Sequence, residues 1–255
     1  MSLARLTVIT PCLNAESTIR DTLESLFAQS IPIQSIVIDG GSSDGTLSIL
    51  EEYRDEIDIL ISEQDRGISE AFNKGLALAN GDYIAILNAD DFYEPDICLQ
   101  VVSFAQENQN PEIVHGSVRY LESNGSTYVE KPDTSNIWKY MSVFHPTMFV
   151  HQRVYKQIGY FDLDYHYAMD SEWVHRAVSR GIEFVAYPGV ISTMRLGGKS
   201  HRNSTRSLAE FRRSVIVHKR KYLMATYYFA RQSIVQGLLK WPWVKQLVLL
   251  RRRLN

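Results

Sequence analysis

Ser35-Ile36-Val37-Ile38-Asp39-Gly40-Gly41-Ser42-Ser43-Asp44-Gly45-Thr46 reads as a short apolar strand that runs through a glycine-rich turn into a helix over 46–53. An unbroken apolar run points to a strand buried on both faces, as in a parallel sheet, and the glycines punctuate the turn. The same beat recurs on either side. Residues 6–10 read as a strand and 17–29 as a helix, with Ile19, Leu23, Leu26 and Phe27 at helical spacing. Residues 57–62, 69–79 and 83–87 follow as strand, helix and strand, with Gly81-Asp82 marking the last turn. Strands alternating with helices predict βαβ units and an α/β fold with a mostly parallel sheet flanked by helices.

Past residue 91 the rhythm changes. Residues 95–106 read as a helix, and Ile113–Leu121 with Thr127–Glu130 as a hairpin around Ser123-Asn124-Gly125-Ser126. The Pro-bearing stretch Phe144-His145-Pro146-Thr147-Met148-Phe149-Val150 precedes a short helix at 154–158. A helix at 171–180 carries Trp173, Val174 and Ala177 on one face and stops at Gly181, and 183–187 and 190–194 read as strands. The expected organisation is a nucleotide-binding half (1–91) and an irregular acceptor-binding half (92–201), followed by a basic helical tail (202–255).

With 255 residues, 45% of them hydrophobic and 22% charged, the chain has the composition of an ordinary globular protein large enough for a sizeable core. Cys12 and Cys98 are too far apart for a CxxC site and read as buried thiols in a reducing compartment. The N-terminal residues carry no signal-peptide pattern, and no apolar run approaches the ~20 residues of a membrane span. Both features point to the cytoplasm. The net charge of −2 hides an asymmetry: 202–255 holds thirteen Lys or Arg against one acid, Glu210, a net of +12 that leaves −14 elsewhere. A basic tail on an acidic body predicts an anionic partner for the tail.

Ligands of open α/β sheets bind outside the carboxyl ends of the strands. Thr10 and Pro11, Asp39, Glu63 and Asp65, and then Asn88-Ala89-Asp90-Asp91 fall at those ends. Each has a plainer reading alone: Asp39-Gly40-Gly41 as a tight turn, Asp90-Asp91 as helix-start charge. Together, carboxylates on one rim repel unless a cation lies between them. A divalent metal carrying a diphosphate answers that need, because hard cations prefer oxygen ligands.

Val8-Ile9-Thr10-Pro11-Cys12-Leu13-Asn14 and Val37–Thr46 resemble the opening motifs of family 2 glycosyltransferases. Ser62-Glu63-Gln64-Asp65-Arg66-Gly67, Asn73-Lys74-Gly75 and Ala79-Asn80-Gly81-Asp82-Tyr83-Ile84 continue the match in order. Leu87-Asn88-Ala89-Asp90-Asp91 resembles the family's DXD-type motif with Asn in the first acidic position. The resemblance covers roughly residues 6 to 200 and implies a GT-A fold. It also implies that Thr10, Pro11, Asn14 and Asp39 hold the nucleotide base, that Asp65 and Gly67 lie by the nucleotide and ribose, and that Asp90 and Asp91 bind metal, Mn2+ or Mg2+, or ribose.

Met169-Asp170-Ser171-Glu172-Trp173 is similar to the segment that supplies the family's catalytic base. Met169 departs from the family's Glu, so only Asp170 is carried over; its plainer reading is an N-cap. His145 falls in the acceptor half. Lys199 and His201 sit in a Gly-rich loop that reads either as a closure over the diphosphate or as a solvated loop. In the tail, Ser207-Leu208-Ala209-Glu210 fits a capping box. Leu208, Phe211, Val215, Tyr222 and Phe229 follow on one helical face, and Trp241 and Trp243 lie further on. The tail reads as an interfacial helix at the inner face of a membrane or as a helix packed on the body or on a second subunit.

The function expected is inverting transfer from a nucleotide-diphosphate sugar, a UDP-sugar first, to an acceptor hydroxyl in cell-surface polysaccharide or glycolipid synthesis. A sugar-phosphate nucleotidyltransferase would show a GxGxR-type loop where Pro11-Cys12-Leu13-Asn14 stands. A non-catalytic scaffold relative is the third reading. No nucleic-acid-binding fold is apparent.

Overall fold

The computed structural model describes residues 3–197, 204–219 and 222–239. Four parallel strands, β1 (Leu6–Cys12), β2 (Ile33–Asp39), β3 (Ile59–Ser62) and β4 (Tyr83–Ile86), alternate with α1 (Ile19–Phe27), α2 (Thr46–Glu52) and α3 (Ile68–Leu78). Every residue of β1 is buried, as expected of a strand covered on both faces. Its side chains alternate between two cores. Leu6 and Val8 join Tyr83, Ala85 and Val101 on one side, and Ile9 joins Ile36, Ile38, Phe72 and Ile86 on the other. The α1 stripe Ile19, Leu23 and Leu26 is likewise buried. In register, Cys12 pairs with Asp39 and Asp39 with Ser62, so the strand ends form one rim.

The second half contributes β5 (Asp91–Tyr93), α4 (Ile97–Glu107), β6 (Ile113–Leu121), β7 (Thr127–Glu130), β8 (Phe149–His151), α5 (Gln152–Ile158), α6 (Met169–Ser179) and β9 (Phe184–Arg195). It extends the same sheet to the order β3-β2-β1-β4-β8-β6-β9-β5, with β7 on β6. β8 is antiparallel to both β4 and β6, while β6 and β9 run parallel. The hairpin forms with the expected bounds. Two expected strands at 183–187 and 190–194 are one strand, β9, because a register shift near Ser117 lets the pairing pass Pro188 and Gly189. β5 and β8 were not expected. β5 pairs antiparallel with β9, Asp91 opposite Met194, and so ties the acidic stretch to the far edge of the sheet.

Two further helices, α7 (Ser204–Lys219) and α8 (Tyr222–Leu239), close the described chain. α7 lies along α6, and α8 packs on α7 through Arg212, whose guanidinium reaches Thr226 Oγ1 at 3.1 Å and stacks over Tyr222. Ser207 is inside α7, so the expected capping box is not formed; Glu210 points to the body instead. On α8, Leu223 (84%), Tyr227 (63%) and Ile234 (64%) remain exposed. Among the described residues no helix is long and apolar enough to cross a membrane. Trp241 and Trp243 lie outside the described residues.

Helix α3 approaches β1 closely at Gly75, where an added Cβ would fall 2.4 Å from Ile9 Cγ2. Gly75→Val is therefore expected to destabilise the protein by about 1–3 kcal/mol through overpacking, read as a lower urea midpoint at unchanged slope.

Candidate active site

The rim begins at Asp39, whose residue is fully buried. Its carboxylate accepts from Gly41 N (3.2 Å), Ser42 N (3.1 Å), Ser42 Oγ (2.5 Å) and Ser62 Oγ (2.7 Å). Burial pushes this carboxyl up, and the Ser42, Ser62 and Gly41 hydrogen bonds outweigh it, holding the pKa below its ordinary value. Asn14, in the left-handed region at φ 52°, pins the same turn: its Oδ1 accepts from Ser43 N and its N–H donates to Ser42 Oγ. Thr10 and Pro11 are buried in β1, and Thr10 Oγ1 has no hydrogen-bond partner.

Asp65 stands directly over this turn. A Cβ at Gly40 would lie 2.6 Å from Asp65 Oδ2, so glycine there leaves room for the carboxylate. Asp65 Oδ1 accepts from Gly67 N at 2.9 Å, and Gly67 takes φ +133°, a conformation open to glycine. Glu63, also on the rim, pairs with Lys74 at 2.7 Å. His166 faces Gly67 from the loop ahead of α6, and Ser69 Oγ ties that loop down through Tyr165 O at 2.7 Å.

A second group of polar residues forms around 88–91. Asp91 is 2% exposed and accepts from the Arg195 backbone N–H and from Asn88 Nδ2 (3.3 Å). Burial and the neighbouring Asp90 charge raise its pKa well above the ordinary value. Thr22 Oγ1 and the Arg195 guanidinium fix the backbone carbonyls of Asp91 and Asp90 at 2.7 and 3.0 Å. Asn88 Nδ2 also reaches His145 Nε2 at 2.9 Å, and His145 Nδ1 lies 3.5 Å from Asp170 Oδ2. With the amide donating to Nε2, the imidazole carries its proton on Nδ1, facing Asp170. Burial raises the Asp170 carboxyl, but hydrogen bonds from His145 and Ser171 prevail and hold its pKa below the ordinary value.

The structure thus brings Asp39, Asp65 and Gly67 together at one end of the rim and Asn88, Asp91, His145 and Asp170 at the other. Lys199 and His201 lie outside the described residues. Arg195 is not among the residues expected at the site. It follows the expected strand 190–194, bonds Asp21, and lies 5.0 Å from the Phe92 ring centre. His166 was missed as well, since nothing local marks a loop residue that approaches Gly67 from a hundred residues away.

The residues at 88–91 suit a hard cation. Asp90 is half-buried, and Asn88 Oδ1 is a buried carbonyl oxygen without a hydrogen-bond partner. Among the described residues no three His, Cys, Asp or Glu gather around one point. A cation here would need substrate oxygens to complete its shell, as Mg2+ commonly does with phosphates.

The family profile described as Glycosyl transferase family 2 matches residues 7–178, and the chain belongs to that family. A similar relative is the PGL/p-HBAD biosynthesis glycosyltransferase of Mycobacterium bovis (strain BCG / Pasteur 1173P2), 26% identical over 208 residues, 79% of this chain and 81% of that one. The putative teichuronic acid biosynthesis glycosyltransferase TuaG of Bacillus subtilis is 38% identical over 104 residues, 39% of this chain and 41% of that one. Among solved structures, S. aureus TarS 1-349 in complex with UDP-GlcNAc superposes with a TM-score of 0.65 at 18% identity, covering 89% of this chain and 71% of that one. The chain spans 42% of the longer TarS chain. The mannosyltransferase PcManGT from Pyrobaculum calidifontis, in complex with GDP-Man and Mn2+, gives 0.66 at 17% identity, covering 97% and 84%. The fold is GT-A, and the protein is a glycosyltransferase.

Because the Asp39 pKa is depressed on folding, its stabilisation is fully present above the ordinary carboxylate range and is lost as pH falls through the depressed value. Asp39→Asn is expected to cost about 1–3 kcal/mol at pH 7, since the amide turns donors toward donors. The gap from the unsubstituted protein should narrow as pH falls below about 4, measured by urea unfolding at several pH values.

Proposed function

We propose that the chain is an inverting, metal-assisted transferase that uses a nucleotide-diphosphate sugar, a UDP-sugar first, with Asp170 as its general base. The observation that carries this reading is the chain of polar contacts from Asn88 through His145 to Asp170, which joins the acidic motif to the first turn of α6. A half-buried carboxylate kept ionised can take a proton from an acceptor hydroxyl. In this scheme His145 holds Asp170 in orientation and the acceptor oxygen attacks the anomeric carbon. The proton passes to an Asp170 oxygen, the carbon–oxygen bond to the diphosphate breaks, and that electron pair leaves with the phosphate. One displacement inverts the centre. A divalent cation, Mn2+ or Mg2+, would be held chiefly by Asp90, and would supply positive charge to the departing diphosphate. Asp91, buried and bonded to Arg195 and Asn88, then serves to shape that turn. Asp39, Asp65, Gly67, Thr10, Pro11 and Asn14 would receive the nucleotide.

Three comparisons support this scheme: the relatives named for glycolipid and teichuronic acid biosynthesis, the UDP-GlcNAc complex of TarS, and the Mn2+ complex of PcManGT. The same relatives favour a lipid-linked or cell-surface glycan as acceptor. The exposed Leu223, Tyr227 and Ile234, on a tail rich in Lys and Arg, support contact with an anionic membrane surface. Co-sedimentation with phosphatidylglycerol vesicles tests that contact, and no difference from neutral vesicles would end the idea.

A panel of UDP-, GDP- and dTDP-sugars with Mn2+ or Mg2+, read by nucleotide release and by binding calorimetry, is expected to select one donor. With that donor Asp170→Asn should lose transfer by about 10²–10⁴-fold while keeping donor affinity. Normal transfer by the variant would remove Asp170 as the base, and failure of every sugar nucleotide to bind would remove the proposed reaction.

A further inference from the structure

We propose that Glu210 of α7 is a positioning residue for Asp170, acting as an anchor, supplied from a distant part of the chain, for the loop that leads into the base helix; the inference rests on the reading of Asp170 as base. Helix α6 begins with backbone N–H groups that need acceptors. Its capping residue is Ala168, which has no side chain able to accept, and Asp170 Oδ1 turns to its neighbour Ser171 N at 2.7 Å. Glu210 instead holds the residues that lead into the helix. Its carboxylate accepts from His166 N (3.0 Å), Tyr167 N (2.8 Å) and Ala168 N (2.9 Å), three successive donors just ahead of Asp170. An anion at a helix start is electrostatically favoured, and Glu210 is the single acid among the thirteen cations of 202–255.

Two more contacts align α7 along the base helix. One turn beyond Glu210, Ser214 Oγ meets His175 Nδ1 at 2.7 Å; one turn further, His218 Nε2 meets Glu172 Oε1 at 3.0 Å. Glu210, Ser214 and His218 thus make one stripe at four-residue spacing that follows α6 for most of its length. The anchored loop also reaches the other end of the rim, since His166 faces Gly67 and Tyr165 O is held by Ser69. Glu210 therefore sits where the nucleotide side and the base side meet. Without its carboxylate, three N–H groups lose their acceptor and the loop is free to shift, carrying Asp170 with it. A misplacement of about 1 Å at a reacting group can cost about 10²-fold in rate.

The test compares the unsubstituted protein with Glu210→Ala, Glu210→Gln, Asp170→Asn and, as a control on the exposed face of α7, Val217→Ser, using the donor selected by the panel at saturating Mn2+ and low temperature. Glu210→Ala is expected to lower kcat about 10- to 100-fold with donor KM unchanged within about twofold. Glu210→Gln, which keeps one accepting oxygen, should fall between, and Val217→Ser should match the unsubstituted protein. Hydrogen exchange should show amides 166–168 losing protection in Glu210→Ala, and should report whether that variant is folded; if it is not, Glu210→Gln carries the kinetic comparison. If Asp170→Asn is inactive while both Glu210 variants keep full kcat, the base stands and the positioning role falls. A rate loss that only follows the unfolded fraction also overturns the role. Normal transfer by Asp170→Asn overturns the base itself.

Discussion

The Asp39 carboxylate closes β2 inside the protein, and donors from Gly41, Ser42 and Ser62 converge on its two oxygens. A parallel sheet covered on both faces leaves nowhere else for polar chemistry than the strand ends. A carboxylate there must receive hydrogen bonds or lose its charge. The loops after the strands meet that demand locally. Asn14 braces the turn after β2, and Asp65 bonds Gly67 N while standing over Gly40. The glycines and serines that look like mere punctuation are the donors and the open space that make these acids tolerable.

At the other end of the rim two carboxylates meet different fates. Asp91 is buried beside another acid and is driven toward its neutral form, while the half-buried Asp170 is held ionised by His145 and Ser171. Environments that push two acids in opposite directions are how one fold keeps separate tasks separate. Asn88 stands between them and touches both Asp91 and His145. Its amide can donate to an imidazole and to a carboxylate at once, which an aspartate in that position cannot do. The departure from an acidic residue at 88 thus exchanges a charge for a bridge.

Much of the first ninety residues was legible because a strand buried on both faces writes an apolar run and a turn writes glycine. β5 and β8 were not, being three residues each. Asp91–Tyr93 looked like part of a chemical motif, and Pro146 made the approach to β8 look irregular. Pro188-Gly189 suggested a break that a shift in the partner strand absorbs. The rim acids could be named from strand ends alone, yet the pairing of His145 with Asp170 depends on residues 25 apart brought together by a short 3-10 turn at His145–Thr147 and by packing. Glu210 was misread for the same reason. Its spacing from Ser207 satisfies a local rule, but its three donors lie more than forty residues upstream.

The family profile ends at residue 178, within α6, whereas Glu210, Ser214 and His218 all follow it. The stretch matched by the profile contains Asp170, while the side chains that hold the start and flank of its helix come from α7. Two relatives alike in every rim acid can thus still differ in how firmly this helix is held, because the brace belongs to a separate helix.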